Sequence, residues 1–149
     1  MISPSQFGPG SQARARGGAN TEQSLVERIN EDPSVLGLGD LDLKRASWRS
    51  RQISLLLASP AESVLFVVEL QLGPTDDRHV MRVVERWSTE RKRQRMKRCS
   101  AVLVAEEIAP RYVNILELIS RAVPLLAFEL EPSAGTEGTT LRFRHVGLR

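Results

Sequence analysis

A single cysteine, Cys99, stands among 149 residues. No disulfide can form within the chain, and a cytoplasmic, reducing setting is the expectation. Histidine is nearly absent too: His79 and His145 lie far apart with no Cys or His at ligand spacing, which argues against a zinc site. Aromatic residues make up only 5% of the chain, too few for a single-strand binder built on stacked rings. Gly-x-x-x-x-Gly-Lys, Gly-x-Gly-x-x-Gly and Gly-x-Ser-x-Gly are all missing, so a nucleotide-phosphate loop and a serine hydrolase have no foothold. Apolar runs are short: the charge-free stretch Ala122 to Phe128 falls far below the roughly 18 residues of a membrane helix. The N-terminus lacks the charged region and apolar core of a secretory signal.

What is present suits one soluble domain, with 41% hydrophobic and 26% charged residues. Residues 1–19, rich in Gly and Pro without periodicity, read as a disordered tail, leaving 20–149 as the domain. The net charge of +3 is unevenly placed. Between Arg78 and Arg98 there are nine Lys/Arg against two acids, Glu85 and Glu90, a local excess of +7. Arg91, Lys92, Arg93, Arg95, Lys97 and Arg98 fill six of eight consecutive positions with no acid among them. Such a run is the electrostatic footprint of a site for nucleic acid, and its bland counterpart is a solvated helix face.

Asn20 and Gln23 resemble a capping box opening a helix whose stripe is Leu25, Val26 and Ile29 and which ends before Pro33. Glu22 falls on that buried stripe, whereas Glu27 points away. Residues 34–43 read as a turn and a short strand, followed by strands over 52–57 and 64–72 about a turn at 59–63. A second helix is predicted from an N-cap at Thr75, with Val80, Val83, Val84 and Trp87 on its apolar face and the basic run in its last turns. Cys99 to Ala105 reads as a buried strand, Pro110 as the start of a third helix, and 124–130 and 139–146 as two more strands about a Gly-rich turn at 133–138. This order predicts an α/β fold, a central mixed sheet flanked by helices. His79 reads as a surface histidine, Cys99 and Trp87 as core, and Glu106 and Glu107 as a loop or helix entry.

Within the strand over 64–72, Glu69 and Gln71 share one face while Phe66, Val68, Leu70 and Leu72 share the other. A buried carboxylate is costly unless it is paired or binds a metal. Mg²⁺ needs hard oxygen ligands, and acids on two strands and a packed helix can converge on such an ion. The residues available are Glu69, a residue on strand 52–57, and Glu22.

Thr21-Glu22-x-x-Leu25 running to Pro33, Val68-Glu69-Leu70-Gln71, Val102-Leu103-Val104-Ala105-Glu106-Glu107 and Pro110-Arg111-Tyr112-Val113-Asn114 together resemble the PD-(D/E)XK, or restriction-endonuclease-like, nuclease superfamily. The likeness covers roughly residues 20–131. Glu69-Leu70-Gln71-Leu72-Gly73, followed by Asp76-Asp77-Arg78-His79 and Glu85-Arg86-Trp87, looks like a prokaryotic subgroup of it. The resemblance implies an αβββαβ core and hydrolysis of DNA phosphodiesters with Mg²⁺ or Mn²⁺. It implies Glu69 and Glu22 as metal ligands, Gln71 orienting the attacking water, and the basic run on the DNA backbone. DNA is the implied partner, no membrane is involved, and a homodimer is left open. Two departures stand out. Gln71 replaces the superfamily's lysine and supplies neither positive charge nor an acid. The pattern Arg-x-Asp-Leu-Leu reads here as Gln52-Ile53-Ser54-Leu55-Leu56, so Ser54 stands where the metal-binding aspartate belongs, unless Asp40 or Asp42 substitutes. The alternative to an active nuclease is a degenerate member that binds nucleic acid or a partner protein without cleavage.

Overall fold

Period-two alternation builds the centre of the molecule. In the computed structural model, which describes residues 18–59, 63–131 and 141–149, helix α1 (Gly18–Glu31) and a 3₁₀ turn (Pro33–Leu36) precede strands β1 (Asp42–Arg49), β2 (Gln52–Ser59) and β3 (Val64–Pro74). Helix α2 (Asp77–Arg93), β4 (Arg98–Glu107), α3 (Pro110–Ile119), β5 (Leu125–Glu131) and β6 (Arg142–Val146) follow. The six strands lie in one sheet in the order β1-β2-β3-β4-β5-β6. β3, β4 and β5 run parallel, joined by the helical crossovers, and the remaining pairs are antiparallel. This is the mixed α/β sheet that the element order predicts.

Alternate residues feed two cores. Ile53, Leu55, Leu57, Val68, Leu70, Val102 and Val104 meet Leu25, Val26 and Ile29 of α1 on one face. Ala101, Leu103 and Ala105 meet Val80 and Val83 of α2 and Tyr112 and Leu116 of α3 on the other. Glu69 and Gln71 therefore face α2, and α1 lies across the sheet from them.

Several boundaries differ from the sequence reading. β1 spans 42–49 rather than ending at 43. The pairing with β2 shifts between Leu43 and Arg45, so the inward positions change from odd Leu43 to even Ala46 and Trp48, and the bulge conceals the alternation. α1 begins at Gly18, which puts Asn20 inside the helix. Asp76, not Thr75, caps α2, its carboxylate accepting the His79 amide at 2.9 Å. The helix ends at Arg93, so only half of the basic run is helical and Arg98 opens β4. Glu106 and Glu107 complete β4 rather than forming a loop. Gly73, at φ 89°, holds a backbone conformation that strains any other residue, and a Cβ there would come within 2.7 Å of the Arg51 guanidinium and push it aside. Most of the proposed tail, the centre of the 59–63 turn and the Gly-rich turn at 133–138 lie outside the described residues.

Candidate active site and basic cleft

Antiparallel register places Ser54 opposite Glu69 and Gln52 opposite Gln71. Glu69 is 1% exposed. Its Oε1 accepts the Ser54 hydroxyl at 2.9 Å and lies 3.7 Å from Arg82 Nε, while Oε2 lies 3.1 Å from Arg86 Nε. The two arginines sit one helical turn apart on α2, the i, i+4 spacing that aims both at one point on the sheet. Burial pushes the Glu69 pKa up, against the lowering pull of Ser54, Arg86 and Arg82. Gln71 sits in the same network: its Oε1 accepts from Arg82 at 2.7 Å and its Nε2 donates to the Pro74 carbonyl at 2.8 Å. Both ends of the amide are thus engaged.

Glu22 is buried and Glu27 exposed, as the stripe requires. Glu22 spends its carboxylate on the Arg51 amide in the β1–β2 turn, and its helix packs on the opposite face from Glu69. Asp40 and Asp42 are exposed. Asp42 pairs with Ala58, four residues along β2 from Ser54, about 13 Å at the rise of a strand. Glu69 therefore has Ser54, Arg82 and Arg86 as its side-chain neighbours in hydrogen-bond or ion-pair contact.

His79 corrects the sequence reading outright. It is fully buried, with Nε2 2.9 Å from the Glu69 carbonyl oxygen and Nδ1 3.3 Å from the Thr75 hydroxyl. Burial drives its pKa down to about 4. The lone histidine on a charged helix start gave no hint of this, because its polar partners are a backbone carbonyl and a threonine. Glu90, also buried, was hidden within the basic run, where it pairs with Arg45 and Arg93.

That run divides about α2. Arg93 turns toward Glu90, whereas Arg91, Lys92, Arg95, Lys97 and Arg98 line a cleft of about 820 Å³ on the other flank of the helix, with no acid in its lining. Trp87, half-buried, forms part of its wall, donating from Nε1 to the Cys99 carbonyl at 2.7 Å and carrying the Arg91 guanidinium 5.3 Å from its ring centre. Cys99 beneath is buried, and desolvation pushes its thiol pKa up to about 11. Because the thiolate is the reactive form, the native protein is expected to react with a disulfide reagent at least about 100-fold more slowly than the urea-unfolded chain. Equal rates in stopped-flow absorbance would show that Cys99 is accessible.

No family model and no curated protein match the chain. Among solved structures it is similar to EndoMS in its apo form, with a TM-score of 0.59 at 18% identity over 74% of this chain. The likeness is one of fold. The chain spans 46% of the EndoMS chain, less than half of its length.

Metal ligation, which the resemblance to PD-(D/E)XK nucleases implies, is tested by the donors around Glu69. Among the described residues no group of three His, Cys, Asp or Glu converges so as to hold an ion. Mg²⁺ prefers several carboxylate, carbonyl and water oxygens. The Glu69 cluster offers one buried carboxylate, a neutral hydroxyl and two guanidinium groups that already supply positive charge. This set does not fit a divalent cation.

Proposed function

We propose that the chain is a nuclease-fold domain that binds DNA through the basic cleft and does not cleave it. The observation that carries the reading is five cations lining one cleft without a single acid. Cations gathered in this way displace the counterions of a phosphate backbone and favour association with it at low salt. The Ser54–Glu69–Arg82–Arg86 cluster supports the second half of the proposal, since two guanidinium groups already stand against the buried carboxylate, with Glu69 Oε2 and Arg82 Nε left without a hydrogen bond. An Mg²⁺- or Mn²⁺-dependent nuclease, with Glu69 and Glu22 on the ion, Gln71 on the water and Ser54 in the aspartate position, is the less supported reading. It would require Glu22 to leave the Arg51 amide and cross to the other face of the sheet.

Fluorescence anisotropy with a labelled duplex tests the proposal. The expected result is binding that weakens with salt at a log–log slope of about −3 to −5, as a handful of phosphate contacts gives. Lys92→Ala/Arg95→Ala/Lys97→Ala should make that slope shallower by about 2–3 and weaken binding roughly tenfold. All three side chains are exposed, so folding should be unaffected. A slope unchanged by the triple variant sinks the cleft assignment. Plasmid nicking with Mg²⁺ or Mn²⁺ that disappears in Glu69→Gln sinks the non-cleaving assignment.

A further inference from the structure

On the opposite flank of α2, a recess of about 460 Å³ lies between that helix and the β1–β2 hairpin. Ser54, Val67 and Glu69 line it from the sheet, and Arg45, Arg86 and Arg93 line it from β1 and α2. Each arginine is tethered to a buried acid. Arg86 meets Glu69 through Nε at 3.1 Å, while Arg45 and Arg93 both meet Glu90, the latter at 3.2 Å. The tethers occupy one nitrogen of each guanidinium. A guanidinium carries five N–H donors in a fixed fork, so several remain on each. Among the described residues, no other hydrogen bond or ion pair engages these three groups or the neighbouring Lys44 ammonium, and all three arginines are more than half exposed.

Arginines held by carboxylates are ordered before a ligand arrives, which removes much of the entropy penalty that free side chains meet on binding. Two of the three acids lining the recess, Glu69 and Glu90, are already paired, and the third, Glu85, is exposed. Three guanidinium forks match the terminal oxygens of a phosphomonoester. The volume of about 460 Å³ lies within the range of small-ligand pockets.

We infer that this recess binds a phosphomonoester, with Arg45, Arg86 and Arg93 as its donors. The group is the terminal phosphate of a DNA strand or that of a free phosphate. The strand-borne source rests on the DNA-binding reading, and the free source does not. Guanidinium charge here stands beside Glu69 where a nuclease would use a metal, which makes the site one that holds phosphate without activating water.

The full chain is titrated with a 5′-phosphorylated oligonucleotide, with the same oligonucleotide bearing a 5′-hydroxyl, and with inorganic phosphate. Binding is read by calorimetry and by the NMR signals of the arginine Nε–H groups. The 5′-phosphate should raise affinity about tenfold, and inorganic phosphate should shift the Arg86 signal. Arg45→Gln/Arg93→Gln should abolish the tenfold ratio, whereas Lys92→Ala/Arg95→Ala/Lys97→Ala should weaken both oligonucleotides alike and preserve it. Arg86→Lys keeps a charge against Glu69 and should lower the ratio in a protein whose melting curve confirms folding. A ratio of one, or a ratio that survives the Arg45/Arg93 change, overturns the inference. Should neither oligonucleotide bind, the DNA reading fails, and the phosphate-induced shift of Arg86, present or absent, still decides the recess.

Discussion

Replacing Glu69 with alanine is expected to destabilise the protein by about 2–3 kcal/mol, because it removes the counter-charge of two arginines at a buried site. Arg86 is half exposed and can turn to water, but Arg82 is only 20% exposed and already has a buried Nε without a hydrogen-bond partner. Ser54 and Gln71 would lose order with it, since one donates to Glu69 and the other shares Arg82. For a chain of this size the loss corresponds to a fall in Tm of about 5–10 °C. Glu69→Gln, which keeps an acceptor for Ser54, should fall by less. Thermal unfolding followed by circular dichroism measures both, and an unchanged Tm in Glu69→Ala would show that the cluster contributes nothing to folding.

Acidification should weaken the fold through His79. Its pKa is near 4 in the folded protein and 6.5 in the unfolded chain, so the unfolded state takes up the proton first as pH falls. The stability linked to the neutral ring is complete above pH 6.5 and is lost progressively down to pH 4, a change of about 3 kcal/mol. Asp76, held below its ordinary pKa by the His79 amide and its neighbours, acts in the same direction at lower pH. Glu69 acts oppositely: its raised pKa means that protonation relieves burial, so its contribution improves as pH falls. Urea unfolding at pH 7 and pH 4.5 should show the loss, and His79→Gln should flatten it. A wild-type protein equally stable at both values would refute the assignment.

The order of elements was readable because β2, β3 and β4 carry long apolar alternations or runs and α2 has four apolar residues at helical spacing. β1 was not, since a bulge and an exposed edge leave no regular apolar signal. Glu69 and Gln71 were legible as same-face neighbours because strand parity is a local rule, whereas Ser54 came in through the family pattern and the hairpin register sets it opposite Glu69. What surrounds them was not. Whether a buried carboxylate meets a metal, a lysine or an arginine depends on how a helix lies across the sheet, and the Arg82 and Arg86 spacing signals only that two side chains share a helix face. The basic run misled in a related way: its composition is uniform, yet helix geometry sends Arg93 to one flank and its neighbours to the other.

The strand order has a kinetic meaning as well. Every strand in the sheet is bonded to the one before it in the chain. No segment has to be threaded between two that are already joined, and each closure spans only a hairpin or a single helical crossover. The hairpin that sets Ser54 opposite Glu69 is the more local closure, and the crossover through α2 that supplies the arginines is the longer one.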